Sequence, residues 1–335
     1  MKIKQSKQLS RWLAVGGATL GIVGAGLAVR TFLPLRLETA IDVKRGKTAL
    51  AEGSLPDVEV TFLRCASAKA PACLVVRGTF SLAPRWIAYS AVLIRHPKAT
   101  FLFDTGLCAD IHHFLKDQPL WFHKGPGNFA MEKPISMHLQ QQGIEPQDLD
   151  FALLSHLHWD HVSGVPDLPG VPLRIHRVEH EAVQRGLLAQ TQGLVKRLLW
   201  DNPIELFDLK GPAYAGFQAS HDLFGDGSIV LVSLPGHTAG QVGMFIHRAN
   251  GPHLFLIADA VWLAENYLKP APMHPLFWSI ISSDRKVALQ TLIELHRFAL
   301  QYPEIPLIAM HDAHLQEALT DRGQAISQVR CVKDG

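Results

Sequence analysis

Short apolar segments recur along most of the chain and predict a fold rich in β-sheet. From residue 56 onward, runs of β-branched and aromatic residues alternate with polar turns, a pattern typical of strands. The predicted strands are Val58–Leu63, Trp86–His96, Ala99–Phe103, Leu149–Leu154, Pro172–His176, Ser228–Leu234, Val242–His247, Leu254–Ala258 and Pro306–Met310. Turn signals at Pro97-Lys98 and Asn250-Gly251 predict hairpins, so we expect much of the sheet to be antiparallel.

Helical periodicity is interleaved with these strands. It predicts helices over Pro134–Gln142, Glu179–Trp200 and Asp284–Tyr302. For the last helix, Ser282 or Ser283 is the expected N-cap, and Pro303 marks the end. Strands grouped with interspersed helices predict one α+β domain, at residues 56–325, in which sheets pack face to face with helices outside.

The first 36 residues have a different pattern, typical of a membrane signal. Trp12–Val29 is an uncharged run of 18 residues with four basic residues before it and two soon after it. Such a run can just span a bilayer, and the charge asymmetry places the N-terminus in the cytoplasm. We therefore expect residues 1–11 in the cytoplasm, a transmembrane anchor at 12–29, a tether at 30–55 and a periplasmic domain. The alternative is a cleaved signal and a secreted protein, since Gly26-Leu27-Ala28 resembles a cleavage site.

The charge distribution disfavours binding to nucleic acid. Residues 1–36 hold six of the 32 basic residues and none of the 30 acidic ones, so the rest of the chain carries 26 basic against 30 acidic side chains. A body with a net charge of −4 lacks the basic surface that phosphate neutralisation requires. Of the four cysteines, Cys65 and Cys73 bracket a short Ala/Pro segment, and outside the cytoplasm we expect a small disulfide loop there.

A dense cluster of metal-ligand residues follows the predicted strand Leu149–Leu154. Residues 155–161 read S-H-L-H-W-D-H. In an extended segment His156 and His158 point the same way, and the turn after them brings Asp160 and His161 to a neighbouring point. Imidazole and carboxylate without thiolate suit zinc, with manganese or iron as alternatives. The motif indicates ligands for two adjacent metal ions.

Further ligand candidates stand where other predicted strands end. Asp104, His237, Asp259 and His311 each follow an apolar strand. Polar metal-type residues repeated at strand ends are hard to explain as core packing, and strand ends are where ligand clusters are built.

With these residues in this order, the chain resembles the metallo-β-lactamase superfamily over about residues 58–315. The resemblance implies a four-layer αβ/βα sandwich with two metal ions between the sheet edges. It assigns one metal ion to His156, His158 and His237, the other to Asp160, His161 and His311, and the bridging position to Asp259. Asp104 would hold a ligand histidine in its tautomer.

The implied reaction is attack of a metal-bridging hydroxide on a carbonyl group, with Asp160 carrying the proton to the leaving group. The chain has no Gly-x-Ser-x-Gly motif, so serine-hydrolase chemistry has no support. The bridging aspartate makes the chain similar to lactonases and glyoxalase II-like thioesterases, since true metallo-β-lactamases usually lack this residue. His158 argues against the flavodiiron oxidoreductases, which carry a glutamate there. The prediction is hydrolysis of an ester, lactone or thioester; the alternatives are β-lactamase-like amide hydrolysis, phosphodiester hydrolysis and a non-catalytic membrane-tethered binding module.

Aromatic residues in two segments are expected to shape an apolar pocket for an acyl or lactone group. The segments are Cys108–Lys133 and Trp262–Trp278. Acyl-homoserine lactonases commonly carry a tyrosine three residues after the bridging aspartate, where this chain has Trp262, and Tyr267 is the nearby substitute. The predicted substrate-binding residues are Trp121, Phe122, Trp262 and Tyr267.

Overall fold

Most of the predicted domain belongs to the part of the chain that the structure describes. The structure is a computed structural model, and it describes residues 30–35, 37, 54–182, 191–199 and 201–320. The predicted cytoplasmic segment 1–11, the run 12–29 and most of the tether lie outside these residues. Among the helices that are described, none is both long enough and apolar enough to cross a bilayer. The expected anchor and the expected location therefore stay predictions.

The strands of the described residues form two mixed sheets. The first has seven strands in the order β4-β1-β2-β3-β5-β6-β7 and the second has five in the order β12-β11-β10-β9-β8. The strands of the first sheet are β1 Glu59–Pro71, β2 Pro84–His96, β3 Ala99–Phe103, β4 Ala130–Met131, β5 Phe151–Leu154, β6 Leu173–His176 and β7 Ile204–Phe207. Those of the second are β8 Ser220–Asp222, β9 Ile229–Ser233, β10 Val242–Ile246, β11 Leu254–Ala258 and β12 Leu307–Ala309.

Strand direction explains why ligand candidates gather at one edge. The predicted hairpins at β2–β3 and β10–β11 are confirmed as antiparallel pairs. From β3 onward the first sheet is parallel through β5, β6 and β7, and β11 pairs with β12 in parallel. Because parallel strands end at the same edge, the residues after β3 and β5 are neighbours, as are those after β11 and β12.

The inner faces of the two sheets pack against each other and form a core. Phe101 and Phe103 of β3 lie in one buried cluster with Leu231, Met244 and Leu256 of the second sheet. Removing one such side chain from water contributes about 1.5–3 kcal/mol. Helices cover both outer faces: Trp159 and Leu194 lie in the cluster against the first sheet, and Leu295 and Phe298 pack on the second. The layers are helix, sheet, sheet and helix, as predicted.

The helices agree with the predicted periodicity where it was strongest. Their bounds are Ala72–Val75, Ile111–Leu115, Leu120–Lys124, Ile135–Gln141, Trp159–Val162, Arg177–Glu181, Gln192–Leu199, Ala264–Leu268, Pro275–Ile281, Arg285–Gln301 and Ala313–Thr320, with 3₁₀ turns at Pro146–Asp148 and Val165–Asp167. The predicted helix Glu179–Trp200 corresponds to two helices, and residues 183–190 between them are outside the described part. The N-cap of Arg285–Gln301 is Asp284 rather than Ser282 or Ser283, because its carboxylate accepts the N–H groups of Lys286 and Val287 at 2.8 and 3.2 Å.

The predicted disulfide loop is wrong. Cys65 and Cys73 are both buried with free thiols. Strand β1 continues from Cys65 to Pro71, so about six extended residues, or roughly 20 Å, separate it from the helix that carries Cys73. A disulfide requires Cα atoms within about 7 Å. Burial raises the pKa of the Cys65 thiol to about 12.

Candidate metal centre

The predicted motif forms a tight, buried loop directly after β5. His156, His158 and His161 are each at most 5% exposed. The loop is extended up to His158, and the helix Trp159–Val162 then turns the chain so that His161 faces back. His158 lies between two other imidazoles, with Nδ1 at 3.2 Å from Nε2 of His156 and at 2.8 Å from Nε2 of His237.

The structure brings all seven predicted ligands together. Three sets of side chains have ligand atoms within 4.8 Å of one another: His156, His158 and His237; His156, His161 and Asp259; Asp160, His161 and His311. The first and third sets are the two ligand groups that the resemblance implied.

Asp259 stands between these two groups. Its Oδ1 lies 3.3 Å from Nε2 of His161, and its Oδ2 lies 3.0 Å from Nε2 of His311 and 3.4 Å from Nε2 of His237. One carboxylate therefore reaches ligands of both groups, as a bridging ligand would.

The donor set fits metal ions. Within the described chain, Nε2 of His161 and Oδ1 of Asp259 are buried and form no hydrogen bond of good geometry. Leaving such atoms unpaired in the interior is costly, so buried groups of this kind usually have a partner. Convergent imidazole and carboxylate ligands suit zinc, and two such groups around one carboxylate suit a dinuclear site.

The electrostatics differ between the two groups. Burial lowers the pKa of His156 and His158 well below the ordinary value and that of His237 to about 4. These imidazoles are therefore neutral at pH 7, the form that binds metal. For His161 and His311 burial acts the same way, but the nearby charge of Asp259 outweighs it and raises the pKa of both. Metal binding at that group would release a proton.

Asp104 fixes the orientation of the His161 ring through the nitrogen that faces away from Asp259. Its Oδ2 lies 2.8 Å from Nδ1 of His161, so the ring donates there and turns Nε2 toward Asp259. Asp104 also accepts the N–H and the hydroxyl of Ser155 at 2.7 and 2.9 Å, and it is fully buried. This geometry supports the predicted role of Asp104, which is to orient a ligand rather than to bind metal. In the same way, Nδ1 of His311 donates to the carbonyl of Ala88 at 2.7 Å.

Comparison with known proteins agrees with this geometry. The family model described as the metallo-beta-lactamase superfamily matches residues 84–296, which is well over half of the chain. The chain belongs to the metallo-beta-lactamase superfamily.

Several relatives within the superfamily are lactonases. The chain is 26% identical over 156 residues to the N-acyl homoserine lactonase AttM of Rhizobium radiobacter. The aligned region covers 46% of this chain and 57% of that protein. It is 27% identical over 212 residues to the N-acyl homoserine lactonase AiiB of Agrobacterium fabrum, covering 60% and 73%. The match with the first of these spans little more than half of that relative's length.

Solved structures show the same fold. An N-acyl homoserine lactone hydrolase with the product N-hexanoyl-L-homoserine bound at its catalytic metal centre has a TM-score of 0.60 at 19% identity, over 79% of this chain and 97% of that one. The dizinc quorum-quenching lactonase AidC has a TM-score of 0.52 at 18% identity, over 77% and 89%.

One residue that supports this superfamily site was missed in the sequence. The buried carboxylate of Glu179 accepts the N–H of Leu157 and the N–H of Gly240, both at 2.9 Å. It therefore ties the loop of His156 and His158 to the loop that follows His237. Glu179 comes three residues after the end of β6, the strand-end position that singled out the ligands, but it also fits an ordinary helix surface.

An apolar pocket opens above the ligands. Its volume is about 260 Å³, and it is lined at one end by His158, Asp160, His237, Asp259 and His311. The remaining walls are mainly apolar and include Leu74, Ile87, Trp262, Phe277 and Ile281. Trp262 lines the pocket as predicted, and its indole N–H donates to Oδ2 of Asp259 at 3.0 Å.

The other predicted substrate residues lie elsewhere, and their assignment is corrected. Phe122 is fully buried and packs on Trp159 at 5.1 Å, while Trp121 packs on the same core cluster. The hydroxyl of Tyr267 donates to the carbonyl of Leu307 at 3.0 Å, because its helix packs that face against β12. None of the three lines the pocket.

The tyrosine at this pocket is Tyr89 of β2. Its ring lies 5.6 Å from that of His311, and its hydroxyl donates to the carbonyl of Pro126 at 3.0 Å. Burial raises the pKa of Tyr89, and the charges of Asp160 and Asp259 raise it further, so the hydroxyl stays protonated. In the sequence, Tyr89 reads as one of many apolar strand residues, and no local signal marks it.

Proposed function

We propose that the protein is a dinuclear metal-dependent hydrolase that opens a lactone carrying an apolar acyl group. The observation that carries this proposal is the position of the two ligand groups, which share Asp259 and form one end of an apolar pocket. The similarity to N-acyl homoserine lactonases, and to a hydrolase solved with N-hexanoyl-L-homoserine at its metal centre, supports the choice of a lactone.

Seven side chains would hold the two metal ions. His156, His158 and His237 would form one site, Asp160, His161 and His311 the other, and Asp259 would join them. Zinc is the metal that this ligand set suits best, with manganese or iron as alternatives. When bound, the pair would supply the Lewis acidity that activates water and polarises the substrate carbonyl.

Asp160 is the residue placed to move a proton. One carboxylate oxygen lies 3.4 Å from Nε2 of His311, and the residue also lines the pocket. Burial raises the pKa of Asp160. From this position the side chain could pass a proton to a leaving alkoxide in the pocket.

The apolar walls of the pocket are suited to bind the acyl group of such a lactone. Ile87, Trp262 and Phe277 present apolar surface beside the ligands, and small residues of β1 such as Ala68 and Ala70 leave room for a chain. Such walls exclude water and bind an apolar group, while the few polar groups orient the carbonyl. Trp262 additionally keeps Asp259 in place through its N–H.

A substrate screen tests the proposal. The zinc-loaded full chain is assayed against acyl-homoserine lactones, thioesters, β-lactams and phosphodiesters. We expect the lactones to have the highest kcat/KM, His158→Ala to abolish hydrolysis, and His113→Ala, which changes an exposed histidine, to leave it unchanged. Faster turnover of a phosphodiester or a β-lactam would refute the lactonase assignment. Hydrolysis that survives in His158→Ala would refute the site.

A further inference from the structure

Four exposed apolar side chains belong to segments that contact one another where residues 30–35 meet the domain. Leu276 is 71% exposed on the helix Pro275–Ile281, and Phe80 and Leu82, in the loop before β2, are 71% and 79% exposed. Leu33 is 44% exposed. We call these four residues the apolar face. Large apolar side chains grouped at a water-exposed surface mark a site of interaction.

Polar contacts join the segments that carry this face. Nε2 of His274 shares a hydrogen bond of 2.8 Å with Oγ1 of Thr31, and its ring lies 4.2 Å from that of Phe32. Arg77, in the loop that also carries Phe80 and Leu82, donates through Nε to the carbonyl of Leu33 at 2.8 Å. The N-terminal segment, this loop and the start of the helix therefore form one surface.

The sequence before this surface identifies its partner. Arg30, Thr31 and Phe32 follow directly on the uncharged run Trp12–Val29, which is 18 residues long. An apolar run of about that length can span a bilayer. Since the run ends at a segment that is docked on the domain, any bilayer that holds the run lies beside the apolar face. Arg30 and Arg77 stand at the same place and provide positive charge for lipid phosphate groups.

The apolar face also borders the pocket above the metal ligands. Leu74 and Phe277 line that pocket, and both also line the apolar cavity formed with Thr31, Phe32 and Leu276. Leu74 and Phe277 thus border both the pocket and the surface where the N-terminal segment docks.

We propose that the apolar face of the domain rests on the lipid bilayer, with Phe80, Leu82 and Leu276 in the interfacial region. Amphipathic surfaces bind there when apolar side chains enter the boundary between headgroups and acyl chains. The pocket then lies beside the membrane, where apolar compounds concentrate. This arrangement does not depend on which bond the protein hydrolyses.

Fluorescent labelling of the full chain in vesicles tests this orientation. Leu82→Cys and Leu276→Cys are labelled with an environment-sensitive dye, and Ile204→Cys, at an exposed position of the edge strand β7, is the matched control. All variants carry Cys331→Ser, and the native Cys65, Cys73 and Cys108 are buried. The proteins are reconstituted into phosphatidylethanolamine and phosphatidylglycerol vesicles with or without doxyl-labelled lipid.

We expect the labels at residues 82 and 276 to shift to the blue and to be quenched several-fold by doxyl lipid, while the label at 204 does neither. Equal quenching at all three positions, or none at 82 and 276, would overturn the proposal. A blue shift that doxyl lipid does not quench and that disappears on dilution with lipid would assign the face to a second copy of the chain, which also overturns it. Circular dichroism of each variant establishes that the fold is intact.

Discussion

Replacing Asp104 by asparagine changes the hydrogen bonding behind one ligand without changing side-chain size. The Asp104 carboxylate accepts three hydrogen bonds, from the N–H and hydroxyl of Ser155 and from Nδ1 of His161. Its backbone has a φ of 58°, a left-handed conformation that asparagine also tolerates. In Asp104→Asn the amide oxygen can still accept from the backbone N–H, but the amide NH₂ group then faces His161.

The expected loss follows from the tautomer of His161. An NH₂ group at this place can only donate to Nδ1, so the imidazole must carry its proton on Nε2, the nitrogen that faces Asp259. A protonated Nε2 cannot bind metal. Loss of such an orienting partner typically weakens metal binding about 10–100-fold, which corresponds to about 1.4–2.7 kcal/mol.

Stepwise zinc titration by competition with a chromophoric chelator measures both dissociation constants. We expect Asp104→Asn to weaken the site of Asp160, His161 and His311 and to leave the other site nearly unchanged, with activity restored by excess zinc. The control is Asp222→Asn, which changes a carboxylate that also accepts backbone N–H groups but lies in the second sheet, away from the ligands. Unchanged zinc affinity in a folded Asp104→Asn protein would show that Asp104 does not set the tautomer of His161.

Three further predictions concern packing, pH and location. Gly240→Ala places a Cβ 2.1 Å from the backbone nitrogen of Glu179, so we expect it to lower the free energy of unfolding in urea by about 1–3 kcal/mol, whereas Gly193→Ala, with nothing within 4 Å, should not. Burial lowers the pKa of His247 to about 4, so the unfolded chain binds a proton that the folded one resists. His247 alone should therefore lower the free energy of unfolding by roughly 3 kcal/mol as the pH drops from about 6.5 to about 4, and this part of the loss should be absent in His247→Phe. We propose that residues 12–29 anchor a periplasmic domain, so protease added to spheroplasts should digest the domain; protection, or a soluble form cleaved near Val29, would contradict this.

The fold was predictable where local patterns determine it. Strands β3 and β11 have the predicted bounds, because each is a short apolar run between turn residues. Strand β1 extends eight residues beyond the prediction, since its Ala-rich second half lacks β-branched residues and is strand only through pairing with β2. Strand β8 has three residues and no local signal, so only its pairing with β9 reveals it.

Some residues of the candidate site could likewise be predicted from the sequence, and others could not. The ligands stand out in the sequence because imidazoles and carboxylates at strand ends have no packing explanation. The roles of Tyr89 and Glu179 depend on which neighbours the fold brings to them, so no sequence spacing marks them. For the same reason the sequence did not show that Phe122 and Tyr267, which were predicted to bind substrate, belong to the core.

The metal content of the purified protein decides whether the two ligand groups form a dinuclear site. The full chain, purified without chelator, is analysed for metal by mass spectrometry and assayed in the same preparation. We expect about two metal ions per chain, with Asp259→Ala losing metal and activity together, because Asp259 is the carboxylate that joins both ligand groups. A metal-free preparation with full activity, or an Asp259→Ala protein that keeps both ions, would contradict this prediction.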